Sequence, residues 1–396
     1  MDILTYNSFQ HKIFKINEIQ LVMEEKKEIP LSSQDITNLE IERVVNVLKS
    51  PTISRGPELK EFEERIASYV GVPYSIAVNS GTSALHLAVK ALGLKKGDEV
   101  ITTPLSFIAS TSCLMMEGVT PVFSDVDTQT GNINPDFIEE KITPKTKAIL
   151  AVDYFGYPCD MDEIMKIAKK HNLYVIEDSC EAIGSEYNGE RVGKKADIAT
   201  FAFFPNKQIT TGEGGMIVTS NEKLAKLCRS LRHHGSADHG WSIIERVGYN
   251  YWINELNCAL GCAQMQRIDE ILEKREKVAS MYMDKLTGIP GIRLPPKFSN
   301  IKISWYIFFV HVNAKIRDDL IEYLKERGIS SRAYFPCIHT QPFYKEHFGF
   351  RGGEFPNAEE FSKKTLALPF YSNLKEEDID YIVKNLKEGL EFFSKK

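Results

Sequence analysis

The stretch FFPNKQITTGEGGM places one lysine, Lys207, between an aromatic-proline run and a glycine-rich turn. A surface lysine needs no such frame. A lysine that attacks carbonyls does, because its amine must shed its proton part of the time and stay at one spot. Three other stretches carry chemistry of a matching kind. Ser80-Gly81-Thr82-Ser83 follows a short apolar run and opens a helical pattern, where amide N–H groups and hydroxyls could cradle a phosphate. Leu105-Ser106-Phe107 offers an aromatic that could stack on a planar ligand. Glu177-Asp178 ends another apolar run, with Lys207 lying 29 residues beyond Asp178. A carboxylate there could keep a proton on a heterocyclic nitrogen. Each stretch has a plainer reading by itself: a capped helix, a core phenylalanine, a structural ion pair, a solvated loop lysine. As an ordered set they meet the requirements of pyridoxal phosphate (PLP).

These groups need elements to position them. YSIAVNS, DEVITTP, TPVFSDVD, AILAVDYF and YVIEDS read as strands. GTSALHLAVKALGL, SFIASTSCLMMEG, NPDFIEEKI and MDEIMKIAKKHN read as the helices between them. IATFAFF is a further strand before Lys207, and MIVTS a returning one after the glycines. Such alternation predicts βαβ units and a mostly parallel sheet. In an open α/β sheet ligands gather beyond the carboxyl ends of the strands, where all four stretches fall. Past about residue 270 the texture changes. A charged helix (LEKREKVASMYMDKL), Pro- and Gly-broken segments, a strand (SWYIFFVHV) and two more helices predict a smaller α+β unit. The expected division is an N-terminal extension at 1–28, a large PLP-binding domain at 29–270 and a small C-terminal domain at 271–396.

Composition narrows the alternatives. With 43% hydrophobic and 26% charged residues, the 396-residue chain can bury large cores. A net charge of −5 without a basic block argues against nucleic acid. No apolar run reaches the ~18 residues of a membrane helix, and the N-terminus has no basic-then-apolar leader. A cytoplasmic protein is expected. The seven cysteines are scattered without a CxxC pair, and no HExxH occurs; reduced thiols are expected and a metal is not.

At this point a family can be named. The chain resembles the DegT-type sugar aminotransferases, a branch of the fold type I PLP enzymes, from about Pro30 to about Leu390. The resemblance is carried by PTISRGPELKEFEERIASYVG, NSGTSALHLAVKALGLKKGDEVITTPLSFIAST and IEDSCEAIGSEYNGERVG. It continues through PNKQITTGEGGMIVTSN, GYNYWINELNCALGCAQMQRID, YFPCIHTQPFYK and FPNAEEFSKKTLALPFY. It implies a mostly parallel seven-stranded sheet and a PLP-dependent aminotransferase. The substrate would be a keto sugar linked to a nucleoside diphosphate, with glutamate as donor. Lys207 would be the Schiff-base lysine, Asp178 the partner of the pyridinium nitrogen and Phe107 the stacking aromatic. Gly81 and Thr82 would bind the phosphate. Asn250 would reach the phosphate of a neighbouring subunit, so a homodimer with shared sites is implied. Tyr334 and His339 would lie near the sugar nucleotide.

Some positions depart from the family's pattern. Glu181 stands where Gln or His usually meets the ring hydroxyl, Ala202 where a phosphate-binding Ser is common, Trp252 for an Arg and Asp153 for a His. A carboxylate at 181 would repel a phenolate-like oxygen unless one of the two is protonated. A related branch that dehydrates sugars replaces the lysine by His; Lys207 is retained, which favours amino transfer. A PLP-dependent lyase and a non-catalytic PLP-binding regulator are the alternatives, separable by turnover of a keto sugar.

Overall fold

Five of the strands that the sequence spaces between helices join two others in one sheet. The computed structural model describes residues 27–237 and 243–394. The extension expected at 1–28 lies outside them apart from Lys27 and Glu28. The strands of the N-terminal half are β1 (Tyr74–Val78), β2 (Glu99–Thr102), β3 (Thr120–Phe123), β4 (Thr146–Val152) and β5 (Tyr174–Asp178). They are followed by a short hairpin, β6 (Glu186–Tyr187) and β7 (Glu190–Arg191), then β8 (Ile198–Ala202) and β9 (Gly215–Thr219). The seven-stranded sheet has the order β1-β9-β8-β5-β4-β2-β3. Only β9 runs against its neighbours, pairing antiparallel with both β1 and β8. This is the α/β architecture expected from the sequence.

A parallel sheet must be covered on both faces, so its strands are apolar throughout. Alternation along β9 shows the two layers: Ile217 packs with Ile76, Leu85 and Ile198 on one face, while Met216 and Val218 pack with Phe62, Ile66 and Phe201 on the other. Burying each such Ile or Phe contributes about 1.5–3 kcal/mol. The helix Pro57–Val70 on the second face ends in Gly71, whose φ of 84° closes it in the left-handed region.

The C-terminal part centres on the antiparallel pair β11 (Phe308–His311) and β12 (Thr365–Leu368), after the short β10 (Ile301–Lys302). Helices Ile268–Leu286, Arg317–Glu326 and Glu376–Ser394 cover that pair through Val278, Tyr282, Leu320 and Ile382. The first of these helices joins both parts. Its Ile268 and Ile271 belong to the core beneath the large sheet, and its Val278, Ala279 and Tyr282 to the C-terminal core.

Two expected elements differ. NPDFIEEKI forms two 3₁₀ turns, Pro135–Phe137 and Glu139–Lys141, rather than an α-helix. Of its residues only Ile138 is fully buried, too small an apolar face to support an α-helix of this length. In SWYIFFVHV only Phe308–His311 is strand. Trp305 has a φ of 53°, and the carbonyls of Trp305 and Tyr306 accept hydrogen bonds from the buried Arg275 guanidinium, both at 2.8 Å. No helix among the described residues is long and apolar enough to cross a membrane.

Candidate active site

A cavity of about 400 Å³ opens at the carboxyl ends of β5 and β8, beside the N-terminus of helix Gly81–Ala91. Its wall includes Gly81, Thr82, Phe107, Asp178, Glu181 and Lys207 from the first part of the chain, and Tyr334 from the second. Residues up to 253 apart in sequence are thus brought to one place, as the carboxyl-end rule for such sheets requires.

At one end lies the Ser80–Thr82 turn. Ser80 caps the helix, its hydroxyl accepting from Ser83 N–H at 3.1 Å. The amides of Gly81 and Thr82 have no partner among the described residues, the usual state of a helix's first turn. The glycines of TTGEGG explain themselves here. Gly212 has a φ of 78°. A Cβ on Gly215 would lie 2.3 Å from the Ser80 carbonyl oxygen, and one on Gly81 would lie 2.6 Å from Ala202 Cβ. Glycine at these places lets β8 and β9 pass against the turn.

Alternation along β5 separates its two terminal acids. Asp178 faces the cavity. Its Oδ2 accepts from Ser110 Oγ at 2.7 Å and its Oδ1 from Cys180 N–H at 3.2 Å, and no cation among the described residues lies within ion-pair distance. Glu177 points behind the sheet toward Asp153. Burial pushes both carboxyls up, and nearby charge adds to it, that of Asp178 at Asp153 and that of Asp153 at Glu177. Asp153 accepts from Ser179 Oγ at 2.6 Å and from Cys159 N–H at 2.8 Å, while Glu177 Oε2 has no partner.

Lys207 follows β8 in a turn closed by its N–H to the Phe204 carbonyl, 2.9 Å. Its Nζ lies 4.0 Å from the centre of the Tyr306 ring and 3.5 Å from Glu181 Oε1. The other oxygen of Glu181 accepts the Phe155 amide at 3.0 Å. Phe155 reaches that position with a φ of 57°, a conformation costing on the order of 1–3 kcal/mol. Burial pushes the Glu181 carboxyl up, against the pull of Lys207. Phe107 is 54% exposed at the cavity rim.

Asn250 and His339 do not join this wall. Asn250 is exposed between Tyr249 and Tyr251, whose rings stack 4.9 Å apart. Tyr249 OH donates to Glu117 and Tyr251 OH pairs with His86 Nδ1, both at 3.0 Å. His339 is fully buried, 4.8 Å from the Phe355 ring, with Nε2 at 3.2 Å from Glu359. Trp252 donates to His233 Nδ1 at 3.0 Å under the Arg232 guanidinium.

The sequence reading missed Ser110, Asn206, Tyr306 and Arg332, all on the wall. Ser110 and Arg332 had a signal. Ser110 lies one helical turn from Ser106, to which it bonds at 2.7 Å, and Arg332 lies two residues before Tyr334, on the same side of an extended segment. Tyr306 had none, because the Trp305 kink aims it.

The residues present fit PLP. The cavity offers two free amides for a phosphate, an uncovered aromatic for a ring, a buried carboxylate lacking a cation and an amine held nearby. Fold and site together define a PLP-dependent aminotransferase of fold type I. The chain belongs to the DegT/DnrJ/EryC1/StrS aminotransferase family, whose model matches residues 34–387. It is 37% identical over 371 residues to the GDP-perosamine synthase of Escherichia coli O157:H7, covering 93% of this chain and 100% of that one. Among solved structures it is similar to Helicobacter pylori PseC, an aminotransferase involved in the biosynthesis of pseudoaminic acid. The TM-score there is 0.88 at 30% identity, over 92% of this chain and 100% of that one. It is also similar to Bacillus subtilis NtdA with bound cofactor PMP, with a TM-score of 0.81 at 32% identity, over 90% of this chain and 83% of that one.

Proposed function

We propose that this aminotransferase converts a nucleoside-diphosphate-linked keto sugar to the amino sugar with glutamate as donor, in a homodimer whose sites are completed across the interface. The observation that carries the reading is Lys207 in one cavity with Asp178, a buried carboxylate that has no cation of its own. The substrate class rests on the likeness to GDP-perosamine synthase and PseC. The homodimer is supported by two exposed apolar surfaces. Ile41, Val45 and Leu48 form a stripe on helix Asn38–Lys49, and Ile243, Ile244 and Val247 stand near Asn250; such patches mark interfaces. Seven free thiols, six of them buried, suit the reducing cytoplasm.

When bound, PLP supplies an electrophilic carbonyl and an electron sink for the carbon that loses or gains its proton. The chain's own groups do the rest. Asp178, oriented by Ser110, holds a proton at the ring nitrogen through a charge-assisted hydrogen bond. The Gly81 and Thr82 amides would hold the phosphate, Phe107 would cover the ring, and Glu181 would meet the ring hydroxyl. Lys207 Nζ would take the proton from the donor's α-carbon in the first half-reaction and deliver one to the sugar carbon in the second. Asn250 serves the partner's site. Tyr334 lines the substrate's approach, and His339 supports it from the core. The PLP-binding unit is taken as 29–270 and the smaller unit as 271–396.

The test is the visible spectrum of the PLP-loaded protein. Glutamate should remove the visible band and release one equivalent of 2-oxoglutarate, and a keto sugar nucleotide should restore the band. Lys207→Ala should stay folded by circular dichroism and lose at least about 10²–10⁴-fold in turnover. Turnover by that variant at the wild-type rate would refute the central role of Lys207.

A further inference from the structure

The turn at 206–208, which carries Lys207, is braced by one distant segment, 304–306. Asn206 Nδ2 donates to the Tyr306 hydroxyl at 2.9 Å. Lys207 Nζ lies over the face of the same ring, 4.0 Å from its centre. Gln208 Nε2 donates to Ser304 Oγ at 2.7 Å and to the Glu181 carbonyl at 2.6 Å. Ser304 is itself tied down, its N–H donating to Ser185 Oγ at 2.9 Å. A lysine amine rides on a flexible four-carbon stem, so a wall that meets the residue and both its neighbours limits where the amine can go.

The brace is not a strand. Trp305 has a φ of 53°, in the left-handed region that residues other than glycine avoid, so other groups must hold it there. Helix Ile268–Leu286, which joins the two parts of the chain, does so with two side chains. Glu276 accepts the Trp305 indole N–H. Arg275 donates from Nε to the Trp305 carbonyl and from a terminal nitrogen to the Tyr306 carbonyl, both at 2.8 Å. Among the described residues Arg232 and Arg275 are the buried arginines. Arg232 pairs with Glu63 at 2.6 Å. Arg275 has no described carboxylate within ion-pair distance; it has these carbonyls and the Phe370 ring at 4.8 Å. A buried charge without a counter-charge is costly, and an apolar side chain of similar volume would fill the space as well. A planar fork of donors does what that side chain could not, since it fixes two successive carbonyls at once.

We infer that the 304–306 segment, pinned by Arg275, positions Lys207, holding the Tyr306 ring where the amine must stand to meet the cofactor's carbonyl. This holds only if Lys207 is the residue that bonds PLP. The test follows that bond in full-length protein freed of PLP. Nζ bonds the carbonyl carbon and the carbonyl oxygen leaves as water, a step timed by the rise of the visible band. Pyridoxine 5′-phosphate, which has the ring and the phosphate but no carbonyl, reports by calorimetry whether the rest of the site is intact. Tyr306→Leu and Arg275→Lys should slow the band about 10- to 100-fold, the effect of misplacing a reacting group by about 1 Å. Tyr306→Phe, which keeps the ring face, should slow it less than either. All three variants should bind pyridoxine 5′-phosphate as wild type does. Tyr306→Leu changes the cavity wall rather than the core, so it decides the matter even if Arg275→Lys does not fold. A wild-type rate in Tyr306→Leu, or a slower band matched by an equal loss of pyridoxine 5′-phosphate affinity, overturns the inference alone. A visible band that persists in Lys207→Ala overturns the assignment of Lys207 and the inference with it.

Discussion

Lys207 shares its corner of the cavity with a carboxylate at the position where the family's pattern has Gln or His. By sequence Glu181 reads as a source of repulsion toward the ring hydroxyl. The fold moderates this, since one oxygen takes the Phe155 amide, the other faces Lys207, and burial pushes the carboxyl up toward its neutral form. The Glu181 carboxylate lies 3.5 Å from Nζ, close enough to attract a positive charge on the bound chromophore there. Glu181→Gln should therefore move the pH titration of the bound visible chromophore down by about one unit. A titration that does not move would place the proton on Glu181 itself. The conformation behind this geometry, Phe155 at a φ of 57°, has no sequence signal, because nothing about a phenylalanine announces the left-handed region.

At the scale of elements, strand alternation decides what Glu177 and Asp178 do. The sequence shows both acids at a strand end and does not say which faces the ligand, for that depends on which face of β5 the cavity lies on. Asp178 has the cavity; Glu177 and Asp153 share the space behind. A buried acid whose folded pKa is raised stabilises the fold fully below its unfolded pKa, near 4.3 for Glu. That stability is lost as pH rises through the higher folded value. The contribution of Glu177 should thus fall as pH rises above about 4.3, and Glu177→Gln, which keeps the shape of the protonated acid, should remove that loss. The difference in melting temperature between Glu177→Gln and wild type should grow in favour of the variant from pH 5 to pH 8. A constant difference would mean that Glu177 titrates normally. The long periodic elements were legible for the same local reasons that form them: helix Pro57–Val70 from its apolar spacing and Gly71, and β4 and β5 from their apolar runs. NPDFIEEKI and SWYIFFVHV were not, because one is decided by a lack of buried surface and the other by Arg275, at least 30 residues away in sequence.

Taken as a whole molecule, one chain forms the cavity but leaves Asn250 exposed and off its wall. If Asn250 serves a second copy, two inactive variants should complement. Mixing Lys207→Ala and Asn250→Ala subunits under exchange should restore activity to about one quarter of wild type, since half of the dimers are mixed and each carries one intact site. Restoration to less than a few per cent would place both residues in the same chain's site.

The sequence by itself determined the alternating strands and helices, the glycine turn around Lys207 and the order of the candidate cofactor-binding groups. These depend on spacing, propensity and residue chemistry along short stretches. Only the tertiary structure decided that Asp178 rather than Glu177 meets the cavity, that Glu181 is buried against Phe155, that His339 stays in the core and that Arg332 joins the cavity wall beside Tyr334. Each of these turns on which distant segment packs against the residue. Burial and pairing are properties of that neighbour, and no local stretch of sequence contains it.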